Sequence, residues 1–113
     1  MSFPKPGQAV RGSSTGRPIM ALLDLLGRRW SLRVLWELHQ VPASFRELQE
    51  RCEGLSPSVL NTRLSELRAA RLLEHGAQGY QLSALGMQLV EQCLPLAHWA
   101  EGWAASLPPQ PES

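Results

Sequence analysis

Residues 44–83 read SFRELQERCEGLSPSVLNTRLSELRAARLLEHGAQGYQLS. The run holds two short helix patterns across a tight turn, then two apolar strand-like pieces, then a serine that can open a further helix. Ser44 and Glu47 have capping-box spacing: the hydroxyl accepts from the Glu47 backbone N–H while the carboxylate reaches back. Phe45, Leu48 and Cys52 follow as a core stripe at i, i+3 and i+7. Gly54 supplies a positive φ for the turn. Ser56 caps the next helix, and Pro57 stands at its first position, where a missing N–H costs nothing.

That fourth helix carries the functional signal. At 100° per residue Leu60, Leu64 and Leu67 share one face and must pack on the preceding helices. Ser58, Asn61, Thr62 and Ser65 gather on the opposite face. They are uncharged, carry both donors and acceptors, and are short enough to bring a helix backbone close to base edges. Asn can pair bidentately with adenine, and a Thr methyl can meet a thymine methyl. A merely solvated face would more often carry Lys and Glu, which are better helix formers. Arg63 and Arg68 flank the stripe, within reach of a guanine or a phosphate.

Beyond Arg71 the period changes. Residues 72–75 and 80–82 fit two short strands around Gly76-Ala77-Gln78-Gly79, a glycine-bracketed turn. Ser83 then caps a long last helix with Leu85, Leu89, Cys93, Leu96, Trp99 and Trp103 as its apolar positions. Pro95 should kink that helix unless it breaks there. Upstream, a first helix is expected from Pro18 to Leu26, stopped by Gly27. Its Ile19, Met20, Leu22, Leu23, Leu25 and Leu26 cover too much of the circumference for one buried stripe, so a partner subunit is implied. A second helix is expected over residues 31–40, with Leu32, Leu35, Trp36 and Leu38 inward and Val41-Pro42 ending it. Residues 1–16, rich in Gly, Pro and Ser, read as a flexible arm and residues 107–113 as a frayed tail, leaving one domain over 17–106.

Composition narrows the function classes. The chain has 113 residues, 43% hydrophobic and 19% charged, which suits one modest globular core rather than disorder. It shows no apolar run of membrane-spanning length and no secretory h-region, so the cytoplasm is the expected compartment. Cys52 and Cys93 make no C-x-x-C pair; a disulfide framework and a zinc site are both unsupported. All eleven cations lie in positions 1–71 against six acids there, an excess of +5, while residues 72–113 hold four acids and no Lys or Arg. Ten of the eleven are arginine, the side chain suited to bidentate phosphate or guanine contact. His39, His75 and His98 are scattered, Ser56, Ser58 and Ser65 lack a G-x-S-x-G setting, and no glycine-rich phosphate loop occurs. Neither an enzyme nor a bound cofactor or metal is expected.

The segment from Arg17 to about Ala105 resembles the HxlR-type winged helix-turn-helix transcription regulators, related to the MarR group. The resemblance is carried by LLDLLGRRW at 22–30, FRELQ at 45–49, GLSPSVLNTRLSELRAARLL at 54–73, YQLSALG at 80–86 and Trp99. It implies a mainly α fold with a small β-hairpin, and a homodimer on a pseudo-palindromic operator that acts as a repressor. The fourth helix of each subunit would enter a major groove, with half-sites about 34 Å apart. Ser58, Asn61, Thr62 and Ser65 then face bases, with Arg63 beside them. Arg28, Arg29, Arg46, Ser56 and Arg68 are candidates for phosphate contact, which adds affinity but little sequence information. Dimerisation would use the first and last helices, through Ile19, Leu22, Leu23, Leu96, Trp99 and Trp103. A small-molecule effector is left open as a further partner.

Two departures from the resemblance stand out. The turn between the strands is short and carries no cation beyond His75, so contact by the wing is in doubt. Many relatives place a cysteine just before the first helix, where this chain has Arg17; Cys52 and Cys93 fall on expected core stripes, where thiols are inert. A winged helix used for protein contact, as an antirepressor or assembly factor, is the competing reading. RNA binding lacks an aromatic stacking platform.

Overall fold

A computed structural model of the protein describes residues 16–109. The arm expected over 1–16 falls outside them, Gly16 excepted, as does the tail from residue 110. The element order is α1 (Pro18–Leu26), α2 (Ser31–Glu37), α3 (Phe45–Arg51), α4 (Pro57–Ala69), β1 (Leu73–Gly76), β2 (Gly79–Leu82) and α5 (Ala84–Ser106). Five helices and a two-stranded antiparallel hairpin make a winged helix-turn-helix.

Four of the five helices start at the local signal that marks them, α2 being the exception. Pro18 and Pro57 occupy first turns. Ser44 and Glu47 form the reciprocal capping box, and Ser83 Oγ accepts from the Gly86 N–H at 3.0 Å. The core gathers Leu25 of α1, Val34 and Leu35 of α2, Leu48 of α3, Leu60, Leu64 and Leu67 of α4, Leu73 and Leu82 of the hairpin, and Val90 of α5. Every element therefore contributes to one cluster, as a chain this small requires.

The second helix departs from its sequence reading. It ends at Glu37, with Leu38 as its cap, and its buried residues are Ser31, Val34 and Leu35, with Leu38 just beyond. Leu32 and Trp36 are each 37% exposed. They instead line an apolar groove against α5, whose other walls include Cys93, Leu96, Ala97 and Ala100. Cys93 is accordingly half-buried rather than a core residue. The α5 helix runs through Pro95 without breaking; Pro95 is exposed, so its ring points away from the core.

The hairpin pairs Leu73 with Leu82 and Gly76 with Gly79, leaving Ala77 and Gln78 as a two-residue loop. A bridge not anticipated from the sequence ties it to the entrance of α3: Ala43 N–H donates to Tyr80 O at 3.0 Å, and Tyr80 N–H donates to Ala43 O at 2.7 Å. Gly79 permits this approach. Its φ is +110°, and a Cβ there would lie 2.5 Å from the Ala43 oxygen, a conformation and a contact that only glycine tolerates.

A tighter approach joins α5 to the link between α4 and β1. A Cβ on Gly86 would stand 2.1 Å from the Leu72 carbonyl oxygen, which already accepts from the Ser83 N–H at 3.0 Å. Helix propensity favours alanine over glycine by about 1 kcal/mol, but a clash with backbone cannot be relieved by rotating a side chain. Gly86→Ala is therefore expected to lower stability by about 1–3 kcal/mol net, read as a lower urea midpoint at unchanged slope; a midpoint at or above that of the wild type would contradict the packing.

The capping box makes a pH prediction. The Glu47 carboxyl is held below its ordinary range, first by the Ser44 backbone N–H and then by the Ser44 hydroxyl. A lowered folded value adds stability above the unfolded pKa and loses it as pH falls through the folded one. Ser44→Ala is expected to cost stability at neutral pH, and the gap from the wild type should narrow between about pH 6 and about pH 3. A gap constant across that window in urea titrations would show that the hydroxyl does not act on the carboxylate.

Candidate nucleic-acid interface

The turn between α3 and α4 fixes how the fourth helix is presented. Glu53 and Gly54 both adopt left-handed backbone, with φ of 60° and 75°. The Gly54 N–H donates to Gln49 O at 2.9 Å, closing the end of α3, and Gln49 Nε2 donates to Leu55 O at 2.9 Å across the turn. Ser56 Oγ accepts from the Val59 N–H at 3.3 Å, so α4 begins at a defined residue. Leu60, Leu64 and Leu67 are at most 1% exposed, which turns the opposite side of α4 outward.

On that side Ser58, Asn61 and Ser65 are exposed, while Thr62 is half-buried. The stripe expected from the sequence is thus open at three of its four positions. Asn61, Ser65 and Arg68 also form one wall of a concave groove of about 680 Å³, whose other wall is built from Glu74, His75 and Tyr80 of the hairpin. The His75 and Tyr80 rings stack with centroids 4.2 Å apart, and Gln81 Nε2 donates to Glu74 at 3.0 Å. The hairpin side of the groove therefore presents an acid and two aromatic rings rather than a row of cations.

The arginines separate into two groups. Arg29 and Arg68 are exposed, Arg29 with its guanidinium 6.0 Å from the Trp30 ring centroid. The Arg46 side chain is 89% exposed and only 3.7 Å from Glu50, one helical turn on, a pairing of small energetic weight at the surface. Arg28 and Arg63 are engaged within the fold. Arg28, expected at phosphates, donates to Glu66 and lies 3.4 Å from Asp24. Arg63, expected at bases, donates to Glu66 and, through Nε, to Arg29 O at 2.8 Å. Glu66 is buried, at 2% exposure, and a carboxyl group taken out of water needs partners inside the protein, which these two guanidinium groups supply.

Glu66 is the residue of this arrangement that sequence reasoning passes over. Its signal is present, since Arg63 and Glu66 have the i, i+3 spacing of a helical ion pair, but nothing local shows that a distant Arg28 completes the arrangement. The predicted interface helices also stand open. Ile19 and Leu23 of α1 are 51% and 54% exposed, and Leu96, Trp99 and Trp103 of α5 are 60%, 62% and 53% exposed; Leu22 is half-buried. The Trp99 and Trp103 rings stack with centroids 6.2 Å apart. Burial pushes the Cys52 thiol up, which disfavours the reactive thiolate.

Comparison with known proteins agrees with the winged helix-turn-helix fold. The sequence profile of the HxlR-like helix-turn-helix family matches residues 25–107. Among solved structures, the quinone-bound form of YodB from B. subtilis is similar at 27% identity and a TM-score of 0.69, over 74% of this chain and 96% of that one. The reduced form of the same transcriptional regulator is similar at 25% identity and a TM-score of 0.62, over 77% and 89% of the two chains. A possible HxlR family transcriptional factor from Thermoplasma volcanium GSS1 shares the fold at 21% identity and a TM-score of 0.68, over 79% of this chain and 86% of that one. No curated protein matches the chain significantly.

Proposed function

Because the chain belongs to the HxlR-like helix-turn-helix family and is a DNA-binding transcription regulator, we propose that it represses transcription as a homodimer on a pseudo-palindromic operator. The observation that carries the base-reading part is the open polar stripe on α4. Ser58, Asn61 and Ser65 project from a helix whose other face is locked by three buried leucines. Asn61 is the principal reader, able to donate and accept at once to an adenine edge; Ser58, Ser65 and the methyl of the half-buried Thr62 fill in around it. Arg29, Arg46 and Arg68, with the helix start at Ser56, meet phosphates and set the register. Arg28 and Arg63 act from behind this surface, through Glu66, rather than on the DNA.

The homodimer is supported by unspent apolar surface. Ile19 and Leu23 on α1 and Leu96, Trp99 and Trp103 on α5 are each more than half exposed, a concentration that monomeric surfaces rarely carry. The groove between α2 and α5 extends the same apolar surface. Two copies related by a two-fold axis would bury these residues and place two α4 helices on successive turns of one DNA face. Occupancy of such a site would exclude other proteins from it, and that exclusion is the proposed route to repression.

Three variants test the reading. With an operator selected from a random duplex pool, Asn61→Ala is expected to cost about 1–3 kcal/mol and to relax preference at one position of each half-site. Arg46→Ala should instead weaken all sequences alike and flatten the salt dependence by about 0.9 for each phosphate no longer neutralised. Operator preference left intact by Asn61→Ala would overturn the base-reading assignment. Separately, the Trp99→Ala, Trp103→Ala double variant is expected to run as a monomer in light scattering under conditions where the wild type is a dimer, and a dimer persisting in the variant would refute the interface.

A further inference from the structure

Among the described residues, Glu66 is the charged side chain that is buried, at 2% exposure. It lies on α4 one residue beyond Ser65, behind the face assigned to the bases. Both carboxylate oxygens are engaged: Oε2 accepts from Arg28 Nη1, and Oε1 accepts from Arg63 Nη1. The two arginines come from different places, Arg63 from α4 itself and Arg28 from the turn that joins α1 to α2. Arg28 lies within 3.4 Å of Asp24 on α1, and Arg63 Nε donates to the Arg29 backbone oxygen at 2.8 Å. Two acids and two arginines thus form a network joining the recognition helix to the end of α1 and to the backbone of a phosphate-facing residue.

The chemistry of the network is directional. The Arg63 guanidinium is planar, with Nε and Nη1 committed to acceptors on different elements, so its orientation is fixed in a way a lysine could not reproduce. Arg63 and Arg28 side chains keep only 20% and 27% exposure, which shields their bonds from water and makes them stronger than surface pairs. A well-packed apolar residue at position 66 would serve stability as well as this charged group does. The network does something an apolar residue would not: it sets α4 against the Arg29 corner and keeps two cations occupied.

We propose that Glu66 is a positioning residue for operator recognition: clamped between Arg28 and Arg63, it sets how α4 meets base edges relative to the phosphate contact at Arg29, and it withholds two arginines from indiscriminate phosphate binding. The proposal rests on the reading of α4 as the base-contacting helix. It makes operator selectivity, rather than affinity alone, the property that depends on a residue that touches no DNA.

The test compares the wild type with Glu66→Gln, which keeps volume and one acceptor oxygen, and with Arg63→Lys, which keeps charge but loses the Nε–H donor. Dissociation constants are measured for the operator selected by the wild type and for a scrambled duplex of equal length, alongside urea denaturation. The ratio of scrambled to operator constants is expected to fall by about tenfold in each variant, with Glu66→Gln binding the scrambled duplex more tightly and with steeper salt dependence because the charge that offsets Arg28 and Arg63 is removed. A ratio retained in both variants, with only the urea midpoint lowered, would reduce Glu66 to a structural ion pair and overturn the proposal. Should Glu66→Gln fail to fold, Arg63→Lys decides alone, since it leaves the buried carboxylate charged and paired with Arg28. A wild-type protein that enriches no sequence from the pool overturns the α4 reading, and the clamp's role with it; a retained ratio overturns the clamp only.

Discussion

The burial of Leu60, Leu64 and Leu67 against the other helices is the constraint from which the interface follows. Each fully buried leucine contributes about 1.5–3 kcal/mol, and the three together rival the whole net stability of a small domain, about 5–15 kcal/mol. Rotating α4 by even one residue would carry part of that stripe into water. The helix is therefore not free to choose which side it shows, and Ser58, Asn61 and Ser65 face outward because the leucines face inward. The left-handed pair at Glu53 and Gly54 and the cap at Ser56 fix where along its axis the helix begins. Packing sets the rotation, and turn chemistry sets the register.

The same economy accounts for the apolar surface elsewhere. A chain of 113 residues has one core to offer, and α2, α3, α4 and the hairpin fill it. Little of the 23-residue α5 helix is needed: Gly86 and Val90 are its buried residues, and beyond Cys93 it leaves the cluster while still carrying Leu96, Trp99 and Trp103. The α1 helix divides likewise, with Ala21 and Leu25 buried and Ile19 and Leu23 open. Apolar residues at helical spacing on two separate elements, left over once the core is full, have no function in a monomer. The proposed dimer gives them one, and ties the spacing of the two recognition helices to hydrophobic packing rather than to DNA contacts.

Most of the fold can be read from the chain because its punctuation is local. Pro18, Ser44, Ser56 with Pro57, and Ser83 each mark a helix start through a capping hydroxyl or a fixed φ, interactions complete within about four residues. The hairpin is visible in the change of period after Arg71, and the open stripe of α4 in the opposition of leucines to short polar residues. What escapes depends on partners far away in sequence. Periodicity puts Leu32 and Trp36 on the inward face of α2 because it does not say which side a neighbouring helix takes. The bridge from Ala43 to Tyr80 joins residues 37 apart and leaves no pattern in either. Arg63 reads as a DNA contact because it flanks the stripe, and nothing near it in sequence shows that Glu66, buried and reached from Arg28 as well, engages it within the fold. Charged residues are the hardest to place this way, since one buried acid can reassign every arginine within its reach.

Those reassignments bear on how the protein divides affinity from selectivity. Eleven cations suggest a strongly electrostatic DNA binder, yet Arg28 and Arg63 are turned to Glu66 and Asp24, and Arg33 is turned to Glu37 and to the Arg51 carbonyl. The hairpin adds no arginine or lysine and presents Glu74 to the groove. Among the described residues, the proposed attraction to phosphate thus falls to a few exposed arginines, Arg29, Arg46 and Arg68. Since that attraction is nearly blind to sequence, keeping it small lets the base edges weigh more in the total. A surface with many free cations would hold the protein on any duplex it met. On the proposed reading, the neutral stripe of α4 has comparatively little background to compete against, so the pairing of arginines inside the fold and the absence of charge on that face serve the same end.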